Sequence, residues 1–91
     1  MNSRARVIFE GLVQGVFFRA NTQRKAKELK VCGWVRNLDN GSVEALFEGR
    51  KEDIEKIIEW CRSSIPMAEV TNVKISWDVY KNEFKDFFVR R

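Results

Sequence analysis

An Asn–Gly pair, Asn40–Gly41, stands between two strand-like runs, Cys32–Leu38 and Ser42–Glu48. Asn–Gly is favoured in tight hairpin turns because both residues tolerate positive φ. The pair therefore predicts an antiparallel hairpin with its turn at Asp39–Gly41. Along the returning run, Val43, Ala45 and Phe47 share one face. Ser42, Glu44, Leu46 and Glu48 share the other, since successive side chains alternate across a strand.

Two amphipathic helices flank this hairpin. From Phe18 to about Lys30, small or apolar residues recur at Phe18, Thr22, Ala26 and Leu29, with Arg24, Lys25, Lys27 and Glu28 outside. After Gly49, residues Ile54, Ile57, Ile58 and Cys61 follow the i, i+3, i+4, i+7 rule. Glu52 and Asp53 fall in that helix's first turn, where they favour its dipole. Further strands are expected at Arg6–Gly11, with Val7 and Phe9 on one face, and at Glu69–Tyr80, where Val73, Ile75, Trp77 and Val79 alternate with polar residues. Asp86–Arg90 reads as a short final strand. The order is β-α-β-β-α-β plus that strand. It predicts an α+β ferredoxin-like sandwich, an antiparallel sheet with both helices on one face. Phe18, Trp34, Phe47, Trp77 and Phe87 are expected in the core, and Arg24, Lys25, Lys27 and Arg36 in solvent.

Ninety-one residues suit one domain, 1–91. No apolar run approaches the roughly 20 residues of a membrane helix. The first ten residues hold no stretch of signal-peptide length, so a cytoplasmic location and no membrane partner are expected. The chain has no histidine, the commonest general base and transition-metal ligand. Its two cysteines, Cys32 and Cys61, have no zinc-ligand spacing and are expected to be free thiols at opposite edges of the sheet. The net charge of +4 favours an anionic partner only weakly.

The topology gives the stretch "GLVQGVFFR", Gly11–Arg19, its meaning. In a split β-α-β unit the first two strands run parallel with the third between them. The loop after strand one and the end of strand two then meet at one edge, roughly 10 Å apart, or two strand spacings. Asn37 shares the face of Val35, which brings it to the start of the first helix. A helix N-terminus offers unpaired N–H groups and partial positive charge. Gly15 permits a positive φ and close approach of a ligand. Arg19 adds a planar charged fork suited to phosphate or carboxylate oxygens. Together these residues fit either an oxyanion cradle, best suited to phosphate, or a tight turn with an exposed arginine. The spacing is not that of a Walker loop, which ends in lysine and serine or threonine.

"GLVQGVFFR" followed by "GWVRNLDNGSVE" (Gly33–Glu44) resembles the acylphosphatase family. That family's glycine, glutamine, glycine, valine, phenylalanine and arginine are matched at Gly11, Gln14, Gly15, Val16, Phe18 and Arg19. Its later glycine, tryptophan, valine and asparagine are matched at Gly33, Trp34, Val35 and Asn37. The terminal "FKDFFVRR" is similar as well, and only "LKVCGW" departs, before the Gly–Trp pair. The resemblance implies hydrolysis of a carboxylic–phosphoric anhydride to a carboxylate and inorganic phosphate. It implies that Arg19 binds the phosphate and Asn37 positions the attacking water. The backbone of the loop Gln14, Gly15, Val16, Phe17, Phe18 and Arg19 would wrap the remaining oxygens. No cofactor or metal is implied, and the partners expected are a small acyl phosphate and its product phosphate, acting on a monomer.

Two alternatives share this topology. One is an RNA-binding module, but the open faces of the first and third strands carry no aromatic and three acids, so no nucleic-acid partner is expected. The other is a non-catalytic acylphosphatase-like module, against which the presence of both Arg19 and Asn37 argues.

Overall fold

The computed structural model describes residues 1–91. The elements are β1 (Asn2–Leu12), α1 (Phe18–Glu28), β2 (Cys32–Asn37), β3 (Val43–Arg50), α2 (Lys51–Ser63), β4 (Glu69–Asp78) and β5 (Phe87–Val89). The sheet order is β4-β1-β3-β2-β5, so β3 does separate the parallel pair β1 and β2. No helix is long and apolar enough to cross a membrane.

The sheet is mixed rather than antiparallel. β5 runs parallel to β2, with Gly33, Trp34 and Val35 beside Phe87, Phe88 and Val89. The reason lies in the chain path. β4 ends beside Arg4, at the start of β1, so residues 79–86 cross that end of the sheet and β5 has to run back in the direction of β2. Three backbone or side-chain bonds fasten β5 in place. Gly33 N–H donates to the Asp86 carbonyl (3.0 Å), Arg90 N–H to that of Val35 (2.8 Å), and Gln23 Nε2 to that of Phe87 (3.1 Å).

Both helices cover one face. α1 lies over β2 and β5, α2 over β1, β3 and β4, and the helices touch each other. The core between them contains Val7, Phe9, Phe18, Val35, Phe47, Ile54, Ile57 and Phe87. Phe9 packs against Phe18, ring centroids 5.1 Å apart, and Phe47 stacks on Phe87 at 5.7 Å. The two expected core tryptophans lie elsewhere. Trp77 is 42% exposed because β4 is an edge strand, and Lys51 Nζ sits 5.3 Å from the centroid of its ring. Trp34 points to the open face, half-buried between the guanidinium groups of Arg36 and Arg90 at 5.2 and 5.0 Å. Cys32 and Cys61 are both free.

The open face is more covered than its alternation suggests. Glu44 and Glu48, on the central strand, are each only 1% exposed. Arg36 Nε donates to Glu44 at 2.7 Å, and Arg6 Nε binds the same carboxylate from the other side. Arg36 is thus an ion-pair member rather than a solvated charge. Glu48 accepts from Arg4 Nη1 (3.1 Å) and from the backbone N–H groups of Lys81 (2.8 Å) and Glu83 (2.9 Å). Burial raises both carboxyls. For Glu44 the hydrogen bonds from Arg36 and Arg6 outweigh it, and for Glu48 those from Lys81, Glu83 and Arg4, holding both below the ordinary 4.5.

A carboxylate whose pKa falls on folding adds stability above its unfolded value, and that stability is lost as pH drops through the folded value. Both acids therefore stabilise the chain above pH 4.5 and cease to do so in acid. Glu48→Gln should lower the unfolding free energy at pH 7 by about 2 kcal/mol, the range for hydrogen bonds to a charged group. The gap to the natural chain should narrow at pH 3. Urea unfolding at both pH values checks this, and an equal gap at both would contradict it.

Candidate active site

The loop between β1 and α1 is built to leave its donors free. None of the backbone N–H groups from Gln14 to Arg19 donates a hydrogen bond to the backbone. Gly15 lies at φ +75° and Phe17 at φ +61°, so the chain curls twice through the left-handed region. Such alternation turns successive N–H groups toward one concavity. A Cβ added at Gly15 would meet no atom within 4 Å. Glycine serves there for its φ, not for packing. Phe17 has no such freedom, and a left-handed non-glycine residue costs roughly 1–2 kcal/mol.

The start of α1 opens onto the same place. Phe17 is its N-cap, no side chain caps it, and no acid occupies its first turn. The positive end of the helix is therefore unneutralised. Asn21 instead closes the loop behind, donating from both backbone N and Nδ2 to the Phe17 carbonyl, each at 3.0 Å.

A cavity of about 300 Å³ lies at this edge, lined by Val13, Gly15, Phe17, Phe18, Arg19, Ala20, Asn37 and Val89. It brings together Arg19 and Asn37, from α1 and the end of β2, as the topology requires. Arg19 is half-buried. Its Nη1 donates to the Arg90 carbonyl at 3.3 Å, which aligns the guanidinium without neutralising it. Asn37 is half-buried beside the fully buried Val35 and Val43.

Two loop residues stand outside the cavity wall. Val16 packs against the core. The Gln14 side chain turns toward the hairpin, donating from Nε2 to the carbonyls of Leu38 (2.7 Å) and Ser42 (2.9 Å). What these two can present to a ligand is backbone N–H. Sequence reasoning did not identify Gln14 as this brace, nor Val13, Ala20 and Val89 as lining residues, nor the Arg90 carbonyl as the partner of Arg19. The parallel β5–β2 pairing brings Val89 and Arg90 here, and no local pattern announces that pairing.

A loop of unpaired N–H groups, an uncapped helix start, an arginine with no acidic partner and a neighbouring amide are groups that can together bind a small oxyanion. Comparison with known proteins agrees with that class. The family model described as acylphosphatase matches residues 5–89. An acylphosphatase of Thermoplasma volcanium is 50% identical over 91 residues, covering 100% of both chains. One from Pelotomaculum thermopropionicum is 47% identical over 85 residues, 93% of this chain and 92% of its own. The crystal structure of acylphosphatase from Bacillus subtilis superposes with a TM-score of 0.93 at 32% identity, covering 100% of both chains. The chain belongs to the acylphosphatase family, and it is a hydrolase.

The Gln14 brace can be tested alone. Gln14→Ala removes two half-buried hydrogen bonds and should lower stability by about 1–2 kcal/mol. Amide exchange should quicken at residues 14–19 and 38–42 and stay unchanged in α2. Uniform acceleration across the chain would show that the brace has no local role.

Proposed function

We propose that this chain hydrolyses carboxyl–phosphate mixed anhydrides through the cavity at the start of α1. The observation that supports the reading is the run of N–H groups from Gln14 to Arg19 left without a backbone partner, in a loop whose Gly15, Phe17, Phe18 and Arg19 line one cavity with Asn37. The backbone N–H groups and Arg19 hold the phosphate oxygens, and Asn37 orients a water against phosphorus. The water oxygen forms a bond to phosphorus while the bond from phosphorus to the acyl oxygen breaks. That electron pair leaves with the carboxylate, and the water's proton passes to a phosphate oxygen.

A carboxylate is a good leaving group, so the reaction needs no strong general acid. Positioning and charge stabilisation then supply most of the catalysis. Arginine keeps its charge across the physiological range and asparagine does not titrate. The site accordingly works without a histidine, a covalent nucleophile, a metal or a cofactor. One copy provides all the groups, consistent with action as a monomer on a small acyl phosphate in the cytoplasm, with neither nucleic acid nor membrane as partner.

Arg19→Ala should abolish phosphate release from acetyl phosphate while the fold persists by circular dichroism. Near-normal turnover by the folded variant would refute the reading. Asn37→Ala should lower kcat by about 10²–10³-fold, the cost of one preorganised group, and leave the inhibition constant of inorganic phosphate nearly unchanged. Retained kcat with weakened phosphate inhibition would make Asn37 a phosphate ligand instead. Both measurements should be unaffected by EDTA.

A further inference from the structure

The open face of the sheet carries a cluster of cations that the proposed hydrolysis does not use. Glu44 is buried, and each of its carboxylate oxygens is taken by one arginine, Oε1 by Arg36 Nε at 2.7 Å and Oε2 by Arg6 Nε. Both arginines bind through Nε, and both side chains are well exposed, 40% for Arg36 and 62% for Arg6. The buried carboxylate thus fixes two guanidinium groups and leaves their forked Nη ends turned to solvent. Arg90 joins them from β5. Val35 stands beside Val89 on the parallel pair, so Arg36 and Arg90 follow on neighbouring strands. Their guanidinium carbons lie 5.2 and 5.0 Å from the centroid of the Trp34 ring. Three guanidinium groups therefore gather around the one carboxylate of Glu44, and like charges on neighbouring strands repel unless an anion joins them.

An open aromatic ring stands at the edge of this cluster. Phe88 pairs in register with Trp34 and is 49% exposed. The Trp34 ring already carries two guanidinium groups, so Phe88 offers the free ring on this face. β5, β2, β3 and β1 are successive neighbours in the sheet. Phe88 and Arg6 are therefore three strand spacings apart, roughly 14 Å, and Arg6 leans back toward Glu44 on β3. A ligand that matches this face has a flat ring at one end and several anionic oxygens along the rest of its length.

We propose that the open face of β5, β2 and β1 binds a free nucleoside polyphosphate, its base stacked on Phe88 and its phosphates on the outward Nη groups of Arg90, Arg36 and Arg6. Offset stacking suits a purine against an exposed phenylalanine, and the guanidinium fork suits phosphate oxygens. A single free ring takes a single base, whereas a nucleic-acid strand needs a succession of them. None of these four side chains lines the cavity at the start of α1, so the nucleotide site stands apart from the hydrolytic one.

The test uses ADP, with pyrophosphate and adenosine as its two halves, and measures binding by calorimetry at low salt. The natural chain should bind ADP about tenfold more tightly than either half, the scale of one base stacked on one aromatic ring. Phe88→Thr, which keeps a strand-forming residue, should bring ADP down to the affinity of pyrophosphate. Arg90→Gln should weaken ADP and pyrophosphate alike, by roughly fivefold, the scale of a hydrogen bond to a charged group. Arg19→Ala should leave ADP affinity within about twofold, because the catalytic loop takes no part. Amide resonances of the natural chain give a second reading that needs no variant to fold, and ADP should shift residues 34–36 and 88–90 together with the Trp34 indole N–H. Equal affinity for ADP and pyrophosphate, full ADP affinity in Phe88→Thr, loss of ADP binding in Arg19→Ala, or shifts confined to residues 14–19 would overturn the site. Affinity that climbs steeply with the length of an oligoadenylate would overturn it in favour of a nucleic-acid strand.

Discussion

The two hydrogen bonds from Gln14 Nε2 to the carbonyls of Leu38 and Ser42 join the parts on which the site depends. They tie the loop after β1 to the hairpin after β2. β3 lies between β1 and β2, so the loop after β1 and the end of β2 stand a strand apart. The brace spans that gap. It anchors the stretch of chain that carries the left-handed Gly15 and Phe17. A hydrophobic core alone could not fix this register, since a loop with unpaired donors has no secondary structure to hold its shape.

Arg19 depends on a longer chain of support. Its guanidinium is aligned by the Arg90 carbonyl just after β5. β5 is a three-residue strand, too short to hold itself. It is secured by β2, by Gln23 of α1, and by the segment leading to it, which Glu48 binds through the N–H groups of Lys81 and Glu83. Arg4 bridges Glu48 and Glu83, and so spans the fixed sheet and the crossing segment. A buried acid on the open face thus supports the placement of an arginine at the other end of the sheet. The Glu48 ion pair is a structural clasp, whereas Arg19 bonds a neutral carbonyl and not a carboxylate.

Much of this was legible in the sequence, for physical reasons. Alternation and helical spacing gave the strands and helices because each element hides one face. Asn40–Gly41 gave the hairpin, whose turn is closed by Leu38 N–H to the Ser42 carbonyl at 2.8 Å. The juxtaposition of Gly15, Arg19 and Asn37 followed from strand order. Non-local effects stayed hidden. Trp77 reads as core by alternation, but alternation does not reveal that β4 is an edge. Glu44 and Glu48 read as an open polar face, but their burial comes from arginines on neighbouring strands and from residues 79–86. The parallel direction of β5, and with it Val89 and Arg90 at the site, depends on where β4 ends. Phe17 gave no sign of positive φ, because a phenylalanine is the wrong residue to signal it.

The central claim is that the loop from Gln14 to Arg19 is a backbone cradle for phosphate. Titrating inorganic phosphate into the isotopically labelled chain and following its amide resonances tests it most directly. The account predicts saturable shifts concentrated on the backbone N–H groups of residues 14–19, with a smaller response of the Asn37 side-chain amide and little change along β4 or the outer side of α2. Saturable shifts centred elsewhere, or loop amides that do not respond at phosphate concentrations that inhibit turnover, would contradict it.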